Sequence, residues 1–211
     1  MTRSDVTIAP LGRSRLELSE AGGVAARAFY DDPFFVFLSP RPLIRARGLG
    51  IFWRAVVASI IDTGEVLAAR RHDGTLVGVA ASIGPGRLPL SARAQLQQSA
   101  GALYALFPRP RALVDGTRYL VAIDKEHPRE PLWYLALLVV DPLVQRSGIG
   151  TALQRQMLER ADTEGVDCYL ETQNERNIPY YGRFGYEVAQ ELHPVKNGPP
   201  LWTMRRKAGP A

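Results

Sequence analysis

The residues best suited to chemistry are Gln145-Arg146-Ser147-Gly148-Ile149-Gly150, which stand between an apolar run over 132–140 and an amphipathic stretch opening at Ile149. Amides in the first turn of a helix lack acceptors within it, and the aligned peptide dipoles add positive potential there. Glycines at 148 and 150 let a phosphate approach the backbone, so the spacing predicts an anion cradle at a strand-to-helix turn. Two ligand classes fit this turn poorly. No Gly-Lys-Ser/Thr occurs, which excludes a Walker loop. Gly148 and Gly150 match the first two glycines of a dinucleotide fingerprint, and Glu171 falls near its ribose-binding acid. The third glycine, however, is Leu153, and too little chain follows for the further strand–helix units of that fold.

Other candidates are scattered along the chain. Cys168 is the only cysteine, which excludes an intrachain disulfide. Between Asp167 and Tyr169, with no histidine close in sequence, it reads as a packed thiol rather than a nucleophile. His72, His127 and His193 form no pair at metal-ligand spacing, so no metal is expected. Glu171 is either a base or amine anchor beside the loop, or a charge solvated at a strand end. Asp32 either holds a substrate ammonium or belongs to a helix-stopping turn, Asp31-Asp32-Pro33. Glu126 and His127 precede the apolar run and could act through water.

The hexapeptide is also similar to the Gln/Arg-x-x-Gly-x-Gly/Ala loop of the GNAT superfamily of N-acetyltransferases. Its flanks extend the likeness. Trp133-Tyr134-Leu135-Ala136-Leu137-Leu138-Val139-Val140-Asp141-Pro142 resembles the strand and turn that precede the loop in that superfamily. Leu170-Glu171-Thr172, Asn174, Asn177 and Tyr180-Tyr181-Gly182-Arg183-Phe184-Gly185-Tyr186 resemble the motif that closes it. Ala28-Phe29-Tyr30-Asp31-Asp32-Pro33 and Trp202-Thr203-Met204-Arg205-Arg206-Lys207 are most similar to puromycin N-acetyltransferase-like members. The resemblance implies an α/β fold with a mixed, mostly antiparallel central sheet flanked by helices, formed as one domain over 1–211. It implies direct attack of a primary amine, expected to be a small molecule, on the thioester of acetyl-CoA, without an acyl-enzyme.

The site residues follow from the same resemblance. Main-chain groups of Leu138, Val139 and Val140 would bind the thioester and pantetheine arm, and Gln145 through Gly150 with Thr151 would cradle the pyrophosphate. Tyr181 would protonate the departing thiolate. Tyr180, about 100° away on a helix, is left to packing. Asn177 either binds the pantetheine arm or caps a helix. Some members carry a glutamate base on the central strand, but Tyr134 holds that position here, which leaves Glu171 and Asp32 as acidic candidates. The alternatives on the same fold are a silent acyl-CoA-binding module and a peptide or protein amine acetyltransferase.

The elements that must position these groups read as follows. Strands are expected over 6–11, 65–71, 76–83, 132–140, 166–171, 185–188 and 200–206. A helix runs from an N-cap at Ser19 towards Phe29, and a second lies within 42–61 on the stripe Leu49, Phe52, Trp53, Val56 and Ile60. A third spans 91–107, and a weaker one 111–124. The helix after the loop buries Ile149, Ala152, Leu153, Met157 and Ala161, and a short one spans 177–183.

Bulk properties limit the partners. The net charge is +5, yet only Lys125, Lys196 and Lys207 are lysines. Residues 33–61 and 74–114 lack acids, and Arg41, Arg45, Arg47 and Arg54 lie in the first stretch. A field of that sign suits a nucleotide phosphate as readily as DNA, and no nucleic-acid signature accompanies it. The 132–140 run is too short to cross a bilayer, and residues 1–10 hold no apolar core of signal-peptide length. A cytoplasmic protein without nucleic-acid or membrane partners is expected.

Overall fold

A computed structural model describes residues 6–88, 98 and 110–209, so the helix expected over 91–107 lies outside the described residues except for Gln98. Strands β1 (Val6–Pro10), β2 (Glu65–Arg71), β3 (Leu76–Ile83), β4 (Trp133–Val140), β5 (Cys168–Thr172), β6 (Glu187–Leu192) and β7 (Leu201–Arg206) form one sheet in the order β1-β2-β3-β4-β5-β7-β6. Neighbours are antiparallel except β4 and β5, which run parallel. The sheet is therefore mixed and mostly antiparallel, as expected.

Helices α1 (Arg15–Ala28) and α3 (Pro42–Ile60) cover one face, and α5 (Ile149–Glu164) covers the other. The first layer buries Ala21, Val24, Leu49, Trp53 and Ile60 against Leu137 and Val139 of β4. The second buries Ile149, Leu153, Met157 and Ala161 against β3, β4 and β5. Each large apolar side chain so buried contributes about 1.5–3 kcal/mol, and β4, covered on both faces, is apolar throughout for that reason. Helix α4 (Pro110–Glu126) packs Tyr119 with Val195 and Leu201 near the far end of the sheet.

Two helix starts differ from the sequence reading. Helix α1 is capped by Ser14 rather than Ser19, because the Ser14 side chain accepts from the Glu17 amide and Glu17 Oε1 accepts from the Gly12 amide at 3.1 Å. That reciprocal arrangement resembles a capping box. Asp31-Asp32-Pro33 does not simply stop a helix. Asp32 accepts from the Phe34 amide at 3.0 Å and, with Pro33 in the first turn, begins helix α2 (Pro33–Leu38).

A bulge in β4 shapes the region that matters for function. Ala81 pairs with Leu137 but Ser82 pairs with Leu135, which leaves Ala136 as an extra residue. Ala136 and Leu137 consequently face the same helix layer, whereas Trp133 and Leu135 before them and Leu138 after them pack against the other. A bulge bends and twists the strand that carries it. Here β4 keeps only two cross-strand pairs with β5, Trp133↔Cys168 and Tyr134↔Tyr169, before the two strands part.

Candidate active site

The parting of β4 from β5 frees backbone groups. The Asp141 amide donates to the Val77 carbonyl at 2.8 Å, so by antiparallel alternation Val139 faces β3 while Leu138 and Val140 turn their peptide groups into the gap. Gln145 Nε2 donates to the Val140 carbonyl at 3.2 Å and tethers the loop to that edge. The side chains of Leu138 and Val140 line the cleft that opens there, whereas Val139 is buried in the α1/α3 layer.

Asp141 fixes the exit from β4. Its carboxylate accepts from the Leu143 amide at 3.0 Å and from Arg27 Nε of α1 at 2.8 Å. A short 3-10 turn over Pro142–Val144 follows, and Ser147 Oγ donates to the Val144 carbonyl at 2.6 Å. The chain then takes left-handed geometry at Arg146 (φ 61°) and Gly148 (φ 86°) and enters α5. Arg146 is a costly residue for that conformation, by about 1–2 kcal/mol relative to its ordinary backbone, which the surrounding structure must offset. No side chain caps α5 at Gly148, so its first amides remain directed at the cleft.

The cleft has a volume of about 660 Å³, and Gln145, Arg146, Ser147, Gly148, Ile149, Gly150 and Thr151 line it together with Asn177, Tyr180 and Tyr181. The expected loop residues are thus brought together with the motif of helix α6 (Ile178–Gly182). Two further cations, Arg176 and Arg183, line the same cleft. Neither was anticipated, although Arg183 lies inside the quoted Tyr180–Tyr186 motif and Arg176 between the quoted Asn174 and Asn177, and their charge was the available signal. Arg183 stands 5.1 Å from the Tyr180 ring centroid, near enough for a cation–π contact. The site therefore combines helix-terminal amides with positive side chains, as binding of a phosphate-bearing ligand requires.

Two details suit this cleft to close contact with a polar ligand. A Cβ on Gly150 would lie 3.2 Å from the Tyr180 hydroxyl and 3.5 Å from Val140 Cγ2, so the glycine permits a close approach. The Tyr180 hydroxyl is buried there without a hydrogen-bond partner, which costs free energy unless a ligand supplies one. Burial raises the Tyr180 phenol, while Thr151 and Arg183 oppose that shift. Both tyrosines thus reach the cleft, and Tyr180 is more than a packing residue. Tyr181 packs against the cluster on the α5 side of the sheet, 5.9 Å from the Tyr186 ring centroid, and burial, reinforced by the Tyr180 phenol, holds its proton well above the usual tyrosine range.

Asn177 makes no side-chain cap on α6. Its Nδ2 donates to Thr172 Oγ1 at 3.1 Å, so the amide is oriented by the end of β5. Cys168 is fully buried, and burial pushes its thiol up to about 11, which agrees with a packed thiol.

Glu171 is not solvated. Its side chain is 4% exposed, and Oε1 lies 3.6 Å from His127 Nδ1 without a hydrogen bond. The His127 ring contacts Tyr134 and Tyr169 edge-on, each at a centroid distance of 5.0 Å. Tyr134 and Tyr169 are held protonated first by burial and then by the Glu171 charge. Residues Cys168 and Leu170 face α5, so Tyr169 and Glu171 project to the opposite face of the sheet. Asp32 is engaged as the cap of α2, and burial raises its carboxyl against donors from Phe34, Asn174 and Phe35. Arg45, one of the basic residues in the acid-free stretch, is buried and donates to the Tyr30 and Ser39 carbonyls at 2.7 Å. Among the described residues, no group of three or more His, Cys, Asp or Glu side chains could hold a metal, and no helix is long and apolar enough to cross a membrane.

Comparison with known proteins places this geometry in context. The model of the Acetyltransferase (GNAT) family matches residues 24–186. The chain is similar to a histone acetyltransferase HPA2 and related acetyltransferase from Corynebacterium glutamicum, with 22% identity, a TM-score of 0.69 and 98% of each chain covered. It is also similar to a polyamine N-acetyltransferase from Drosophila melanogaster that forms N-acetylagmatine, at 12% identity and a TM-score of 0.63, covering 96% of this chain and 100% of the other. A PaiA N-acetyltransferase from Thermoplasma acidophilum, solved with coenzyme A, matches at 14% identity and a TM-score of 0.56, covering 96% and 98%.

Proposed function

The chain belongs to the Acetyltransferase (GNAT) family, whose donor is acetyl-CoA, and we propose that it transfers the acetyl group directly to the primary amine of a small molecule, acting as one domain over 1–211. The observation that carries this reading is the fork between β4 and β5. The Leu138 and Val140 peptide groups turned away from β3, the α5 amides and Tyr181 converge on one cleft there. The Arg146, Arg176 and Arg183 charges and the loop amides would hold the phosphates of acetyl-CoA, while Asn177 and the β4 edge would hold its pantetheine arm. Puromycin and simple alkylamines or arylalkylamines are the first acceptors to try. The likeness of residues 28–33 and 202–207 to puromycin N-acetyltransferase-like proteins supports the first. The similarity to a polyamine N-acetyltransferase supports alkylamines, and that to an arylalkylamine N-acetyltransferase from Aedes aegypti supports arylalkylamines.

In this reading the amine lone pair forms the new C–N bond, the C–S pair leaves with sulfur, and Tyr181 supplies the sulfur's proton. Burial holds the Tyr181 proton firmly, so its transfer waits until negative charge has developed on the sulfur. Glu171 supplies negative charge on the acceptor face.

The test is steady-state kinetics with an accepted amine. Tyr181→Phe keeps the ring and removes the proton. It should lower kcat on the order of 10²-fold with acetyl-CoA affinity nearly unchanged, as measured by calorimetry. Tyr180→Phe, which removes the hydroxyl facing Gly150, should act on acetyl-CoA affinity rather than on kcat. A normal kcat in Tyr181→Phe would remove the general-acid assignment.

A further inference from the structure

Direct transfer also needs a group to accept the proton that the attacking amine sheds, and Tyr181 packs on the α5 side of the sheet. Resting on the acetyl-transfer reading above, we infer that His127 accepts this proton and that Glu171 is the positioning residue that holds its ring. His127 is brought to the site by α4, where its amide donates to the Ile123 carbonyl at 2.9 Å and completes the last turn. Its ring stands against Tyr134 and Tyr169, the last cross-strand pair before β4 and β5 part. The ring therefore lies at the closed end of the fork, where β4 and β5 begin to part, on the face opposite α5.

The relative depth of the two side chains assigns their roles. Glu171 is 4% exposed and His127 18%, so an arriving amine meets the imidazole first. Glu171 Oε1 is buried without a hydrogen bond and 3.6 Å from Nδ1, beyond a hydrogen bond with a neutral ring. Once a proton reaches the ring, that distance falls within ion-pair range and the orphaned oxygen gains its partner. The groups facing His127 from neighbouring elements are Glu171 and Tyr169 of β5 and Tyr134 of β4. On its own element, the adjacent Glu126 is loosely paired with Lys125 at 3.9 Å. The other acidic candidate, Asp32, is occupied as a helix cap.

The step balances without any further reactant. The amine nitrogen forms its bond to the acyl carbon and becomes positively charged, and its proton passes to a ring nitrogen of His127. The sulfur leaves with the C–S electron pair and takes the Tyr181 proton. Solvent then returns one proton from the imidazolium to the phenolate.

The experiment uses the full chain with acetyl-CoA and whichever of putrescine, tryptamine and puromycin the parent acetylates. His127→Gln should lower kcat/KM at pH 7 on the order of 10²-fold, with acetyl-CoA affinity by calorimetry unchanged. The defect should shrink towards high pH, where hydroxide from solution can take the proton instead, and the acid limb should become shallower, keeping only the part set by protonation of the amine itself. Glu171→Gln should lower kcat/KM less and displace that limb, because it keeps the shape but not the charge. In His127→Ala, added imidazole should restore part of the turnover. A parental pH profile and normal kcat/KM in His127→Gln, alongside a slow Tyr181→Phe, would overturn the role of His127 and leave the transfer reading intact. Absence of thiol release by the parent with all three amines would remove both.

Discussion

Gly148 shows how far a single residue controls the cleft. At φ 86° its backbone occupies a region that a β-branched side chain resists, and it directs the first amides of α5 into the cleft, where the proposed phosphate cradle lies. Gly148→Val should therefore act twice, through backbone strain of about 1–2 kcal/mol and through loss of the loop's shape. Calorimetry should show acetyl-CoA binding weakened at least tenfold, and unaltered affinity would mean that this loop is not the cradle. Gly150 matters for a different reason, since any Cβ there would crowd the Tyr180 hydroxyl. At this scale the loop was legible in the sequence, because consecutive residues form it. The His127–Glu171 contact was not, because its two members come from the end of α4 and from β5, and only the fold brings them together. Their residue types were noted separately, and nothing in their spacing announced a pair.

At the scale of elements, the cleft depends on how α5 is held against the strands that flank it. Near the helix end, Asp162 accepts from both terminal nitrogens of Arg206 on β7, at 2.7 and 2.8 Å, and from the Gly209 amide at 2.7 Å. The Arg206 bond comes first among the interactions that lower the Asp162 carboxyl below the usual aspartate range. A carboxylate lowered by folding contributes stability above its unfolded pKa, near ~3.9, and loses it as pH falls through the folded value. Asp162→Asn should therefore cost about 1–3 kcal/mol in urea unfolding at pH 7, and the gap to the parent should narrow below pH ~3.9. A gap that persisted unchanged into acid would assign the loss to packing rather than charge. Strands β2 and β3 carried their boundaries in two apolar runs on either side of the turn His72-Asp73-Gly74-Thr75. The β4 bulge did not, because a bulge is a slip in cross-strand register and Ala136 looks like any other apolar strand residue. Helix α2 was legible in principle, as Asp32 before Pro33 is a helix-start pattern, but the proline was read as a breaker.

Over the whole molecule, the sheet separates two approaches to one point. The donor side carries the loop, the α5 amides and the cationic cleft, and the opposite face carries His127, Glu171 and the two tyrosines. In the proposed transfer, a thioester held from one side of the strand fork would meet an amine arriving from the other. The positive charge of the chain fits this division, because Arg146, Arg176 and Arg183 gather at the donor cleft while Arg45 is spent on backbone carbonyls in the interior. The fold class was readable from the motif order along the last third of the chain. The acceptor was not, because the groups facing it come from separate elements that carry no shared motif.

The most direct test of the account is release of free CoA thiol from acetyl-CoA, measured with the purified chain across putrescine, tryptamine, puromycin and a peptide with a free N-terminus, beside calorimetric binding of CoA alone. Direct acetyl transfer to a small amine predicts CoA binding together with thiol release that requires an amine and is fastest with one of the small amines. Firm CoA binding with no amine-dependent release from any of the four would contradict it and leave a silent acyl-CoA-binding module in its place.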